Sequence, residues 1–372
     1  MFRIRKTMTD VYFRHTDYDD PRLKQVVFDM MTAMGGDAIS AGTKVLIKPN
    51  LLMAAAPDRG ITTHPTILRH VSEFIIDKGC RPVISDSPPI GSFERILSKG
   101  GYTKALSGLD VVIRPFRESA KMDIGEPFGV IDIARDALEA DLVINLAKLK
   151  THAQMLLTLG VKNIFGCVIG LKKPEWHFRA GTDRELFARL LVQIYKAVSP
   201  AMTFIDGILA LEGQGPGKSG TPRKLNLLAA SRDAIAADSV ISRVLGLEPR
   251  ELLTHKAAER LKRVPQDIHV HGEFNILNDF NFPETGPMCI GTGILHGFMR
   301  KHVLRKPVSD NRKCKLCGDC WRYCPANAVD RHIKGIRFNY DTCIRCYCCL
   351  EICPEGAITA REPLLGRLFR KI

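Results

Sequence analysis

Cys314-x2-Cys317-x2-Cys320-x3-Cys324-Pro325 is answered by Cys343-x2-Cys346-x2-Cys349-x3-Cys353-Pro354, each cysteine of the first run recurring 29 residues later. The runs keep matching past the prolines, Pro325-Ala-Asn-Ala-Val329 against Pro354-Glu-Gly-Ala-Ile358. This internal repeat has a chemical reason. Three thiolates two residues apart let one tight loop reach three iron corners of a cubane, and the fourth cysteine, before proline, reaches the other cluster. The spacing therefore predicts two [4Fe–4S] clusters, one on Cys314, Cys317, Cys320 and Cys353, the other on Cys343, Cys346, Cys349 and Cys324. Structural zinc takes four ligands in paired spacing, not a three-plus-one repeat closed by proline.

The module around this repeat is expected over residues 308–360, a small α+β unit of the bacterial ferredoxin type. A segment of that size has little core of its own, so metal binding is expected to supply its folding free energy. Cys348 falls outside the register and reads as a packed free thiol. Trp321, Tyr323 and Tyr347 are expected to shield the clusters from water. The chain holds twelve cysteines; Cys80, Cys167 and Cys289 are scattered, and the rest lie between Cys314 and Cys353. Clustered thiols without a secretory signal read as metal ligands rather than disulfides.

Outward from the repeat, 372 residues are too many for the cluster module alone and suit one large domain plus a small one. There is no apolar run of transmembrane length, and Met1 to Phe13 lacks the apolar core of a signal peptide, so a cytoplasmic protein is expected. The net charge of +14 favours acidic partners. No zinc-finger or RNA-binding aromatic motif accompanies it, so nucleic acid is not the expected partner. Seven lysines and arginines against Asp310 lie between Arg300 and Lys315. The basic tail, 361–372, adds Arg367, Arg370 and Lys371 among Leu364, Leu365, Leu368 and Phe369, and peripheral membrane contact through it stays open.

Upstream, helix and strand patterns alternate. Asp20-Pro21 opens a helical stripe of Leu23, Val26, Val27, Met30, Met31 and Met34 that Gly35-Gly36 ends. A second helix runs from Pro65 to Lys78, and Thr182-x-x-Glu185 reads as a capping box before Leu186, Leu190, Leu191 and Ile194. A further helix spans Asp233 to Leu245. Short β-runs are expected at Lys44–Pro49, Pro82–Ser85, Val111–Arg114, Leu142–Leu146, Met202–Ile205 and Leu225–Ala230. Apolar strands alternating with helices predict an α/β fold, a mostly parallel sheet covered by helices. The division is residues 1–39 as an N-terminal helical extension, 40–250 as the α/β domain, and 251–307 as a connecting segment.

Several strands end in polar groups: Lys48-Pro-Asn50, Asp86-Ser87, the stretch from Asn145 to Lys148, Lys150, Thr151 and His152, and Asp206-Gly207. Ligands of open parallel sheets bind at the carboxyl ends of strands. The helix after Thr62-Thr63-His64 offers unpaired N–H groups to an anion, and Lys48, Lys148, Lys150 and Lys162 would add positive charge. A small anionic ligand such as a phosphate or carboxylate is expected. Gly217-Lys218-Ser219 is not a phosphate loop, because Glu212 stands where the leading glycine belongs. His269-x-His271 has no third ligand and reads as surface.

Lys48-Pro-Asn-Leu51, Thr62-Thr-His-Pro65, Asp86-Ser-Pro88, Lys148-Leu-Lys-Thr-His152, Gly160-Val-Lys-Asn-Ile-Phe-Gly166, Asp206-Gly-Ile208 and Glu212-Gly-x-Gly-Pro216 resemble motifs of the DUF362 family. The resemblance covers roughly residues 40 to 250 plus the cysteine repeat, and it implies an iron–sulfur-associated α/β domain paired with a C-terminal two-cluster module. It implies too that Lys48, Asn50, His64, Asp86, Lys148, Lys150, His152, Lys162, Asn163, Asp206 and Glu212 converge. Two function classes remain open. One is an oxidoreductase relaying electrons between a redox carrier protein and the anionic ligand, with His64, His152 or Asp206 as proton donors or acceptors. The other is a non-enzymatic electron-transfer subunit or redox sensor whose α/β domain docks a partner.

Overall fold

The computed structural model describes residues 8–89, 91–170, 172–283, 299, 302–333 and 335–363. Cys289, Arg300, Lys301 and the tail at 364–372 lie outside the described residues. The strands of the large domain are β1 (Thr9–His15), β2 (Val45–Pro49), β3 (Val83–Ile84), β4 (Val112–Ile113), β5 (Ser119–Asp123) and β6 (Val130–Ala134). They continue as β7 (Leu142–His152), β8 (Leu156–Thr158), β9 (Met202–Gly213), β10 (Gly220–Ser231) and β11 (Ile268–His271). Its helices are α1 (Leu23–Ala33), α2 (Pro65–Asp77), α3 (Phe93–Lys99), α4 (Tyr102–Ala105) and α5 (Arg135–Glu139). After these come α6 (Gly160–Asn163), α7 (Lys172–Ala180), α8 (Arg184–Val198), α9 (Ala234–Val244) and α10 (Leu253–Arg260).

The central sheet runs β11-β1-β10-β9-β7-β2-β3-β4, with β8 paired to β7 off this path. β10 is antiparallel to both neighbours and β8 to β7, while the remaining pairings are parallel. The sheet is therefore mostly parallel and covered on both faces. Alternation along β7 shows how: Ile144 and Leu146 join α1 and α2 in one core, while Val143 faces α8 and Ala147 and Leu149 face α9.

Four expectations are corrected. The described part of the expected helical extension at 1–39, residues 8–39, is not helical alone, because β1 precedes α1 and lies inside the sheet between β10 and β11. The segment at 251–307 is not merely connecting, because it contributes α10 and the edge strand β11. Asp183, not Thr182, caps α8 by accepting from the Leu186 N–H at 2.8 Å. Finally β7 and β9 run far past the expected ends at Leu146 and Ile205. Lys148, Lys150, His152 and Asp206 thus lie within strands rather than beyond them, polar residues that continue a buried ladder.

The small module holds β12 (Lys306–Ser309), α11 (Asp319–Arg322), β13 (Val329–His332), β14 (Gly335–Phe338), α12 (Cys348–Ile352) and β15 (Ile358–Arg361). β12 pairs with β15 and β13 with β14, both antiparallel. The sequence repeat persists in the backbone. Left-handed residues recur at the same offset: Leu316 with Arg345, Gly318 with Tyr347, and Asn327 with Gly356. A positive φ at a bulky residue is costly, and here it bends each cysteine loop inward.

Candidate functional site

The thiols gather in two groups. Cys314, Cys317, Cys320 and Cys353 line one small cavity walled by Leu316, Trp321 and Ile336. Cys324, Cys343, Cys346 and Cys349 line a second, together with Cys348 and Tyr347. Each fourth thiol sits across from the loop it follows, as the spacing predicts. The Ala328 N–H donates to Cys324 Sγ at 3.3 Å, and its repeat mate Ala357 donates to Cys353 Sγ at 3.2 Å. Eight thiols in two apolar nests, with N–H groups aimed at sulfur, fit the donor set of iron–sulfur clusters. Tyr323 is buried and Tyr347 half-buried beside the second nest, as expected of shielding aromatics.

A larger cavity, about 90 Å³, lies where the two domains meet. From the α/β side it is lined by Lys48, Asn50, Asp86, Lys150, Lys162, Asn163 and Lys173, and from the cluster module by Tyr323, Cys348, Glu351 and Ile352. Lys48 Nζ pairs with Asp86 Oδ1 at 2.9 Å, both buried. Burial raises the Asp86 carboxyl, but Lys48 and Lys173 outweigh it and leave it below its usual range. Gly166 leaves room for this pair, since a Cβ would stand 2.4 Å from both Asp86 Oδ1 and Lys48 Nζ and would displace one of them. Lys150 Nζ donates to Asn50 Oδ1 and to the Ile61 carbonyl, each at 2.7 Å. Asn50 donates to Asn163 Oδ1 at 2.8 Å, and Asn163 to Asn145 Oδ1 at 2.8 Å. The amides thus hold the lysine stem in register.

Lys162 is different. Among the described residues it makes no hydrogen bond or ion pair, and burial lowers its ammonium pKa against the pull of Glu351. Lys150 is lowered well below its usual value by burial and then by Lys162. Lys173 donates to the Ser87 carbonyl and is brought by burial to about 8. Three lining residues carry buried polar atoms without a hydrogen-bond partner, Thr158 Oγ1, His177 Nδ1 and Glu351 Oε1, the last held only by an ion-pair contact with His152. Orphaned buried polar groups are rare and ask for a ligand or water.

His152 does not line this cavity. Its Nδ1 accepts the N–H groups of Gln154 and Met155 at 3.1 and 3.2 Å, so Nε2 carries the proton of the neutral ring. Nε2 lies 2.7 Å from Glu351 Oε1, at an angle outside ordinary hydrogen-bond geometry. Burial holds His152 near 4; burial would raise Glu351, but His152 and Lys162 bring it to about 2. This contact, with Gly217 against the Glu351 carbonyl, seats α12 on the α/β domain.

His64, Lys148 and Asp206 form a separate buried group, not part of the cavity lining. Lys148 Nζ meets Asp206 Oδ2 at 2.9 Å across the β7–β9 register. Tyr18 donates to Asp206 Oδ1 at 2.6 Å and stacks on His64 at 3.5 Å. The His64 N–H donates to Asp206 Oδ2 at 2.9 Å, while its side chain caps α2. Every charge in this group is answered inside it. The N-terminus of α2 is occupied by that cap and by the Asp206 carboxylate, which corrects the expectation that it is open to an anionic ligand. Glu212 is likewise elsewhere, paired with Arg223 at 3.0 Å and accepting the Asn281 N–H.

The structure thus divides the expected set. Lys48, Asn50, Asp86, Lys150, Lys162 and Asn163 meet at the cavity; His64, Lys148, Asp206, His152 and Glu212 do not line it. Sequence reading missed Thr158, Lys173, His177 and Glu351. The signal for Glu351 and Cys348 lay in the repeat itself: their first-half counterparts are Arg322 and Asp319, so chemistry changes where the ligand pattern does not.

Fold and thiol geometry define an iron–sulfur electron-transfer protein built on an α/β domain. The description "Domain of unknown function (DUF362)" matches residues 45–243, and "4Fe-4S dicluster domain" matches 306–354. The chain belongs to the DUF362 family. It is 39% identical to thylakoid-associated protein sll1697 of Synechocystis over 278 residues, covering 73% of this chain and 86% of that protein. Over 50 residues, 13% of this chain and 54% of the relative, it is 42% identical to the NADH-dependent phenylglyoxylate dehydrogenase subunit delta of Aromatoleum evansii. The lactate racemase apoprotein of Thermoanaerobacterium thermosaccharolyticum superposes with a TM-score of 0.39 at 14% identity, covering 70% of this chain and 58% of that one. Among the described residues no helix is long and apolar enough to cross a membrane.

Proposed function

We propose that the protein is an oxidoreductase that carries two [4Fe–4S] clusters and relays single electrons between a carrier protein and a small anionic ligand in the interdomain cavity. The observation that carries this reading is the shared wall of that cavity: lysines of the α/β domain face Tyr323, Cys348 and Glu351 of the cluster module. Bound clusters supply one-electron chemistry. The chain's own residues bind and orient: Lys162 offers an uncommitted charge, Lys150 a desolvated ammonium, and Thr158 and His177 unmet hydrogen-bonding capacity. Lys173, near 8, replaces His64, His152 and Asp206 as the group best placed to hold or give a proton at the ligand. Its cytoplasmic placement belongs to this proposal, and a relative named for thylakoid association favours contact with a membrane surface. Relatives named as dehydrogenase and pyruvate synthase subunits support a redox carrier as partner.

The test is anaerobic thermal shift of the cluster-loaded protein with phosphate and small carboxylates. A ligand at a hundred times its dissociation constant stabilises by about 2.7 kcal/mol. Lys162→Ala should abolish the shift with iron content unchanged. The second reading, a docking module without a substrate, is favoured by the internal pairing of Lys48 with Asp86. It becomes the better account if no anion shifts the wild type or if Lys162→Ala responds as the wild type does.

A further inference from the structure

The cluster module is a tandem repeat, so each surface on its second half has a counterpart on its first. Cys346, Tyr347, Cys348 and Glu351 lie at or beside the second nest, buried or half-buried, and of these Cys348 and Glu351 line the cavity shared with the α/β domain. Their counterparts, 29 positions earlier, are Cys317, Gly318, Asp319 and Arg322. Cys317 is exposed, and so is Arg322. The cavities of both nests are lined only by residues of the module, and the halves differ in that Cys348 and Glu351 also line the cavity shared with the α/β domain. The repeat therefore presents two equivalent faces: one seated on the α/β domain, the other open to solvent beside a thiol of the first nest.

The open face has a defined chemistry. Arg322 donates to the Cys317 carbonyl at 2.6 Å, which fixes a guanidinium at the exposed thiol. Arg312, Lys313 and Lys315 stand exposed on the same loop. Asp319 and Asp310 also lie here, each engaged with an arginine of the rim, Arg322 and Arg312; Asp319 also accepts from the Cys317 thiol at 3.6 Å, and exposed Glu355 lines the nest as a third acid beside the four cations. Gly335 packs against Asn311, which brings the tip of the β13–β14 hairpin alongside, and Ile333 at that tip is 95% exposed. An apolar knob within a basic rim suits a protein surface with acidic margins.

We infer that this face is the electron port, where a small acidic one-electron carrier protein docks over Cys317, and that Cys348 and Tyr323 mark the exit toward the cavity. The inference rests on the two-cluster reading above. In the docked pair one electron leaves the reduced carrier, which is oxidised, and enters the module through the nest of Cys314, Cys317, Cys320 and Cys353. It leaves through the nest beside Cys348; no bond is made or broken and no proton moves at the port.

The probe is a small acidic [2Fe–2S] carrier protein, titrated anaerobically against the full cluster-loaded chain by calorimetry. The wild type should bind, with affinity falling steeply between low and physiological salt. Lys313→Glu with Lys315→Glu should weaken binding at least tenfold at unchanged iron and sulfide content. Ile333→Asp, which touches no core, should weaken it as well and serves if the first variant loads poorly. Lys99→Glu with Lys104→Glu, on α3 and α4 of the large domain, should bind as the wild type does. No binding, binding indifferent to both port variants, or equal loss in the Lys99/Lys104 variant overturns the port. Absence of iron in the wild type would instead defeat the two-cluster reading beneath it.

Discussion

Lys148 and Asp206 are each almost completely withdrawn from water, and each has the other as its answer. Removing one partner of such a pair strands a buried charge and costs about 3–5 kcal/mol. Asp206→Leu should lose that much stability in anaerobic denaturant titration, and adding Lys148→Met should restore most of it. His177 makes a different statement. Burial holds its ring near 3, below the value of about 6.5 in an unfolded chain. Below that value the unfolded chain takes a proton that the folded one refuses, so stability falls as pH drops from 6.5 toward 3. Between pH 6.5 and 5 the wild type should lose about 1.5 kcal/mol more than His177→Phe, which keeps the stack on Phe187 and removes the titration. Parallel losses in the two proteins would mean that His177 is protonated in the fold.

Helix α12 joins the two domains, and glycines set how closely it sits. A Cβ on Gly217 would stand 2.7 Å from the Glu351 carbonyl, and one on Gly215 2.3 Å from the Thr151 carbonyl. Both obstacles are backbone, which cannot swing aside as a side chain can. Gly217→Ala should therefore lift α12 from the loop, open the cavity wall at Cys348, and raise the alkylation rate of that thiol several-fold at constant iron content. Unchanged alkylation would show that the seat of α12 lies elsewhere. Legibility at this scale was uneven. Helices α2 and α9 stood out because their caps and apolar stripes agree. β1 did not, because a short edge-side strand of mixed polarity, Thr9 to His15, carries no sustained alternation.

At the scale of the molecule, the small module lacks a core large enough to stand without its cysteines and whatever they hold. Anaerobically purified chain should contain about eight iron and eight acid-labile sulfides, as two cubanes require. Cys317→Ser should lose or convert one cluster, whereas Cys348→Ser should keep the iron. Stoichiometric zinc without sulfide would sink the cluster assignment, and iron loss in Cys348→Ser would move the register by one residue. Chelation should unfold residues 308–360 before the α/β domain, visible as early proteolysis of that C-terminal segment.

What the sequence by itself determined was whatever chemistry writes into local spacing. The cysteine repeat needs no tertiary knowledge to be read as a 4Fe-4S binding domain, because the spacing of three thiols on one short loop is itself the signal. The α/β class was legible for a similar reason, since strand and helix periods are local. The candidate site was half legible. Lys48, Asn50, Asp86, Lys150, Lys162 and Asn163 do meet, but the same reading swept in Lys148, Asp206, His64 and Glu212, whose charges are spent on one another or on Arg223. Only the tertiary structure separates Lys150, which lines the cavity, from Lys148, which faces Asp206, because the register of β7 against β9 shifts between them. Only it brings Thr158 of β8, Lys173 and His177 of α7 and Glu351 of α12 to the site, and only it covers one face of a repeated module while leaving the other open.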